Sequence, residues 1–480
     1  MMAAKEKKKE REGSFAGSLI VFLLCVAIIL IGVILMQLPV QIPLIGAIIV
    51  VCAYGIGVLK IPYVELEQSM IKSLSDSLGV MLLLLTIGPL IAAWIACGTV
   101  PYVIYLGLKL ISPTWYLAFI VVMCSILSSV TGSSWTTMGT IGVAFMGISI
   151  GMGISLPMTA GAILCGSYFG DKISPVSDVV VFNTGITGAP ILKHCKSLLY
   201  TTLPAILISC IIFFVLGIRY SSQTLDTSNI TAIQTGLSEV LRFSPILWIP
   251  IIVVIVAIAL KVPAIPALWA GVASAGIIAI AYQGQSFTDF MNYLFSGFSV
   301  ETSNESINRI LNRGGMTSMW NIIGVVICSM SFGGLLDRTK ILLKIAQQLT
   351  GITKGRVGLI ATTLVSGIIA SFVAADPYIA ALIPVKAFQD DFDKQGLDRT
   401  VLSRTVSDGG ICYAPMVPWG SNGIYAATTL GLSTGAMFPF YFMAFLTPLM
   451  AIILAITGIG IFYKDDEDKT IKDVEAKSIE

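Results

Sequence analysis

Four aspartates, Asp171, Asp178, Asp376 and Asp408, fall inside long apolar stretches of a chain that is otherwise poor in charge. A carboxylate at the centre of a membrane helix costs roughly 2.5–3.5 kcal/mol on insertion scales, so four of them call for a use. The chemistry they suggest is cation and proton handling. Hydroxyls and amides accompany them: Ser133, Ser134, Thr136, Thr137, Ser174 and Ser177 near the first pair, Ser421 and Asn422 after the second. That inventory is hard oxygen throughout, which suits an alkali cation such as Na+ and not zinc or copper. Asn183 and the aromatics Trp135, Tyr168, Tyr378 and Trp419 stand close by in sequence as candidate walls of a substrate cavity, although aromatics are equally common as packing and interface residues.

Each aspartate also has a plainer reading. Asp171 precedes Lys172 and can pair with it. Asp178 follows Ser174-Pro175-Val176-Ser177 and can cap a helix. Asp376 stands before Pro377, the pattern of an N-cap with proline at the first helical position. Asp408 can sit at the cytoplasmic edge, paired with Arg404. His194, the sole histidine, follows Lys193 and reads as a solvated loop residue.

The elements that must position these groups follow from composition. The 480 residues are 56% hydrophobic and 12% charged, with mean hydropathy +0.89, against roughly 25% charged in soluble domains. This is an integral, polytopic, all-α membrane protein. The net charge of +2 gives no reason to expect nucleic-acid binding. Lys5, Lys7, Lys8, Lys9 and Arg11 make residues 1–14 a basic cytoplasmic tail, and the long apolar run from Phe15 reads as a retained span. Nine scattered cysteines form no C-x-x-C pair and read as small packing residues.

A crossing needs about 20 apolar residues. On that ruler the first half (15–218) has spans near 15–36, 40–59, 78–97 and 198–218, a polar interfacial piece over 63–77 and an amphipathic one over 101–111. Between them lie two apolar arms, about 115–130 and 138–150, joined by Thr131-Gly132-Ser133-Ser134-Trp135-Thr136-Thr137. They read as too short for two crossings and therefore as a re-entrant hairpin. Residues 156–190 read as one span broken at Gly170-Asp171-Lys172-Ile173-Ser174-Pro175-Val176-Ser177-Asp178.

An external connector (219–243, with Ser222, Gln223, Thr224 and Asp226) leads to a second half (244–463) in the same order. Its spans fall near 244–261, 263–283, 315–336 and 437–463, with an arm from Val357 to Val373 entering a tip at Ala374-Ala375-Asp376-Pro377-Tyr378. A broken segment follows over Thr405 to Asn422, and an acidic tail (464–480) ends the chain. Five crossings per half would set the halves in opposite orientation. Loop charges agree: Lys60, Lys72, Lys193, Lys196, Lys261, Arg338, Lys340, Lys344, Lys354, Arg356 and both tails then face the cytoplasm, against Lys109, Arg219, Arg242, Arg309 and Arg313 outside. Two inverted repeats, each with a hairpin and a broken helix, point to a secondary transporter with its site near the midplane.

The stretch Thr131–Thr137, followed by Gly139-Thr140 and by Gly170–Asp178, resembles the signature of the NhaC-type sodium/proton antiporter family, over about residues 15–463. The resemblance implies inverted repeats with paired hairpins and sodium coupling. The family includes sodium/proton antiporters, a sodium-linked malate/lactate exchanger and members assigned to amino acids. After Asp178 this chain has Val179-Val180-Val181-Phe182-Asn183 where such members tend to carry threonines, which removes possible oxygen ligands.

The expected function is therefore Na+/H+ antiport by alternating access in a bacterial plasma membrane. Sodium would bind through Ser133, Ser134 and Asp178, a proton would ride on Asp178 or Asp376, and no cofactor is expected. Transport of a small organic acid (malate, lactate) or an amino acid is the alternative, and a homodimer is an open expectation. A membrane enzyme is disfavoured by the lone histidine and by the absence of H-E-x-x-H.

Overall fold

A computed structural model describes residues 13–110, 112–221, 227–260, 262–350, 355–374 and 376–464. Most of the basic tail, Ile111, the connector residues Ser222, Gln223, Thr224 and Asp226, Lys261, Lys354, Ala375 and the acidic tail from Asp465 lie outside them. The described residues are helical almost throughout, as a chain must be when no water is at hand for its backbone. Eight helices are long and apolar enough to cross a membrane, or up to ten if each of two bent pairs counts as one span.

The first half runs Phe15–Leu30, Gln41–Gly57, Tyr63–Asp76, Leu78–Ala96 and Thr99–Leu110 before reaching the hairpin. The hairpin arms are longer than the apolar runs suggest. Pro113–Thr131 and Ser134–Met152 have 19 residues each, about 28 Å of helix, and each is long enough to cross alone. The polar residues set aside as a tip are themselves helical: Thr131 is the last residue of one arm and Ser134–Thr137 the first turn of the other.

Leu156–Ile173 and Asp178–Thr187 form the broken segment, and Ile191–Ser221 follows. That last helix has 31 residues and begins seven residues before the expected span, which takes His194 out of any loop.

The second half also has a pair of helices meeting at a polar tip, followed by a broken segment. Gly355–Ala374 leads to a tip at Asp376, and Pro377–Lys394 leaves it as a single helix through Pro384 and the polar residues beyond. Arg399–Gly409, a 3-10 segment Ile411–Met416 and Ser421–Leu430 make the second broken segment. The final helix, Phe442–Thr457, meets Thr434–Phe440 at a bend of 47°.

Small residues let the hairpin and the broken helix approach closely, the usual means of helix association in lipid. Along Leu156–Ile173, Gly166 faces the Val121 carbonyl and Gly170 faces the Ser128–Ser129 peptide, and Ser128 donates to the Ser167 carbonyl. A Cβ on Gly170 would lie 2.3 Å from Ser129 N and 2.5 Å from Ser128 C, both rigid backbone atoms. We expect Gly170→Ala to destabilise the purified protein by about 1–3 kcal/mol. Gly185→Ala, whose Cβ meets nothing within 4 Å, should be neutral or slightly stabilising; detergent melting of the two variants side by side checks the contrast.

Candidate functional site

The site is built where helices end. Gly132 adopts a left-handed conformation (φ 65°), closing the first arm of the hairpin. Ser133 then caps the second, its Oγ accepting the Thr136 N–H at 3.2 Å. This tip rests on the first break: a Cβ on Gly132 would lie 2.9 Å from Ser177 N. At the break the helix stops at Ile173 because Pro175 cannot continue it, and Ser174 to Ser177 form a turn closed by the Ser177 N–H on the Ser174 carbonyl at 3.1 Å. Ser177 occupies the N-cap position and Asp178 the first turn of the next helix, one place later than a capping Asp178 requires. Asp178 Oδ1 accepts the Val179 N–H at 3.0 Å, at a helix terminus whose dipole favours negative charge.

Asp171, two residues before the first break, accepts one hydroxyl on each oxygen: Ser134 Oγ at 2.7 Å on Oδ2 and Ser177 Oγ at 2.6 Å on Oδ1. Across the site, Asp376 does cap the helix that Pro377 begins, with Oδ1 accepting the Ile379 N–H at 2.8 Å. Its Oδ2 is buried and has no partner among the described residues. Tyr378 donates to Asp178 Oδ2 at 2.6 Å, joining the second tip to the first break.

These ends enclose a cavity of about 70 Å³, lined by Ser133, Ser134, Trp135, Tyr168, Asp171, Asp178, Asp376, Tyr378, Ser421 and Asn422 together with Leu83, Val179, Met330, Pro377, Ile411 and Ala414. None of these lining residues is Lys, Arg or His. Asp171 and Asp376 are buried (6% and 3% exposed), whereas Asp178 is exposed and marks the mouth.

The second break turns Asn422 into something other than expected. Both Trp135 Nε1 (2.7 Å) and Tyr168 OH (2.8 Å) donate to its Oδ1. An indole N–H only donates, so the amide oxygen is fixed toward the first half, and the group left to face elsewhere is the NH2. The oxygen counted as a cation ligand is thereby occupied. Trp135 is held in turn by Tyr425, which stacks on it (centroids 4.4 Å, 7° between planes) and donates to its carbonyl at 2.7 Å. The one sequence signal for Tyr425 is its place three residues after Asn422 on the same helix, hence on the same face.

Several candidates lie elsewhere. Thr136 and Thr137 turn back onto Ser133, Ser174 donates to the Ser129 carbonyl at 2.8 Å, and Trp419 donates to the Phe372 carbonyl at 2.6 Å. Asn183 is buried with both amide atoms unpartnered among the described residues, away from the cavity lining.

The expected pairings of Asp171 with Lys172 and of Asp408 with Arg404 are both replaced. Lys172 donates to Asp408 at 2.6 Å, because consecutive helical residues point in different directions and cannot face each other. Arg404 donates instead to the Gly460 carbonyl at 2.8 Å. His194 is fully buried, with Nδ1 2.8 Å from Ser403 Oγ, and is no solvated residue.

Comparison with known proteins places this geometry. Residues 166–459 match the family described as "Na+/H+ antiporter family". The chain is 36% identical to the "Na(+)/H(+) antiporter NhaC" of Alkalihalophilus pseudofirmus, covering 94% of this chain and 97% of that protein. It is 35% identical to the "Malate-2H(+)/Na(+)-lactate antiporter" of Bacillus subtilis, over 93% of this chain and 95% of that one. It is also 32% identical to the "Arginine/ornithine antiporter ArcD" of Halobacterium salinarum, over 96% and 95%. A polytopic helical protein with carboxylates gathered at its helix breaks, this chain belongs to the Na+/H+ antiporter family.

Proposed function

We propose that the protein exchanges Na+ for H+ by alternating access, with residues 15–218 and 244–463 as inverted halves and both termini in the cytoplasm of a bacterial cell. The observation that carries the reading is the cavity: three carboxylates and several hydroxyls converge on about 70 Å³ with no cationic side chain in its lining. A water needs on the order of 10–15 Å³ by this measure, so the space suits a cation with a few waters. It offers fewer positions than malate or arginine has non-hydrogen atoms, and three carboxylates oppose an organic anion. The geometry thus favours a small cation over malate or lactate, while for a cationic amino acid it is the size of the cavity, not its charge, that speaks against the alternative.

In this mechanism Na+ enters past Asp178 and is held by Asp178, the free Oδ2 of Asp376 and the hydroxyls of Ser133 and Ser421. Asp171, saturated by Ser134 and Ser177, holds the first tip against the first break and adds negative potential. Exchange is obligatory for an electrostatic reason. Carboxylates this close cannot be sealed from water while charged and empty, because uncompensated buried charge costs several kcal/mol per ion. The cavity therefore closes only when it holds sodium or when protons have neutralised the carboxylates that sodium left. A sodium ion leaving against entering protons draws on the proton gradient, and on the potential where net charge moves.

Two outcomes test this. In proteoliposomes carrying a pH-sensitive dye, sodium should drive proton flux, while Asp178→Asn and Asp376→Asn each abolish it and leave the purified protein folded. Sodium-driven flux that survives in either variant removes that residue from the mechanism. In the same vesicles labelled malate, lactate and arginine should show no counterflow; accumulation of any one would establish the organic-substrate reading instead. Trp135→Phe removes one donor from Asn422 and should weaken sodium-dependent flux by about 1 kcal/mol, roughly fivefold in apparent affinity. An unchanged sodium dependence would show that Asn422 needs no such anchoring.

A further inference from the structure

The most fully buried opposite charges among the described residues lie outside the cavity. Lys172, 1% exposed, donates from Nζ to Asp408 Oδ1 at 2.6 Å, and Asp408 is completely buried. The partners are 236 positions apart, one on each broken segment. Each is the residue before the last of its helix: Lys172 precedes Ile173, where Leu156–Ile173 stops, and Asp408 precedes Gly409, where Arg399–Gly409 stops. The ion pair therefore joins break to break, one residue beyond Asp171 and behind the cavity wall.

Two features set this pair apart from a permanent brace. First, it is under-bonded. Asp408 Oδ2 is buried without a partner among the described residues, whereas Asp171 next door has both oxygens satisfied. A buried pair with one hydrogen bond gains little against its desolvation, yet removing one partner leaves a costly lone charge. Second, the other polar bonds of Arg399–Gly409 bypass the helix that carries Asp171: at its far end Arg399 donates to the Thr187 carbonyl at 3.4 Å, beyond the first break. Arg404 reaches Gly460 and Ser197, and Ser403 meets His194, so these bonds fasten it to Ile191–Ser221 and the chain beyond Phe442–Thr457. Among the described residues, Lys172–Asp408 is the hydrogen bond that links its side chains to the helix carrying Asp171.

We propose that Lys172–Asp408 is a conformational tie, made in the arrangement described here, with the cavity open past Asp178, and broken in the arrangement that opens to the opposite side. An interaction present in one of two states shifts their equilibrium by its own free energy. The inference rests on the transporter reading but is indifferent to which ion is carried. Lys172 and Asp408 are positioning residues that touch neither cation nor proton site.

The test reads access directly. Val176, 62% exposed beside Asp178 at the mouth, is replaced by Cys in the full-length protein, and its rate of modification by a membrane-impermeant thiol reagent is measured against the parent chain as background. Lys172→Gln and Asp408→Asn should each slow labelling at least about fivefold, the scale of an ordinary coupling energy. The exchange Lys172→Asp with Asp408→Lys should restore it.

The double variant Lys172→Gln/Asp408→Asn contains no lone buried charge and so folds even where a single does not; it should label slowly too. Labelling at the parental rate in the double variant, or slow labelling in a well-folded charge exchange, overturns the tie. Thiol access needs no sodium or proton flux. The tie can therefore fail while Na+/H+ exchange stands, and exchange can fail while the tie stands.

Discussion

Everything in this molecule answers to the difficulty of keeping three carboxylates inside a membrane. A carboxylate there must have hydrogen-bond donors, and regular helices have none to spare, since their amides are consumed internally. The chain meets the need by ending helices where the acids are. Asp178 and Asp376 each sit at a helix start whose amides face them, and Asp171 takes hydroxyls from the tip and the break that flank it. The breaks are thus the source of the solvation that lets the charges exist, and the acids are the reason the breaks are tolerated.

The same economy explains the division of labour between the halves. The first half supplies Asp171 with the two serines that satisfy it, and Asp178 with the Val179 N–H that meets one of its oxygens. The second supplies Asp376, the Tyr378 hydroxyl that bonds Asp178, and the Asn422 amide that receives Trp135 and Tyr168. Asp171 and Asp376 take their hydrogen bonds from their own part of the chain, whereas Asp178 is bonded directly across the cavity by Tyr378. In the proposed mechanism, moving one part against the other would change how Asp178 is solvated, which is the physical content of coupling between motion and occupancy.

Much of this was legible in the sequence, for stated reasons. Glycine, serine and proline around isolated acids in apolar runs announce breaks, and both breaks and the capping role of Asp376 follow from that pattern. Lengths were harder. The apolar runs of the hairpin arms cover only 13 to 16 residues because Thr131 and Ser134–Thr137 are polar, yet hydroxyls that bond backward to their own helix sit comfortably inside one. Partner choice was not legible. Lys172 beside Asp171 and Arg404 one turn from Asp408 are obvious local pairs, but the fold brings residues 172 and 408 together and sends Arg404 to Gly460. His194 followed a lysine and so read as solvated, where helical packing buries it. Tyr425 and the orientation of the Asn422 amide depend on contacts across nearly three hundred residues that no local pattern records.

The unequal exposure of the three aspartates carries one more implication. Asp178 meets water, while Asp171 and Asp376 lie at the sealed end of the same small space. In the proposed mechanism a cation following that line would exchange its hydration shell for protein oxygens in instalments, meeting a partly wet carboxylate before a dry one. Discrimination by size would then belong to the inner end, where few waters remain to mask a poor fit, while the mouth would collect any small cation by charge alone. Capture and selection would fall at different depths of one cavity, so that a change at either end would alter one of them while leaving the other in place.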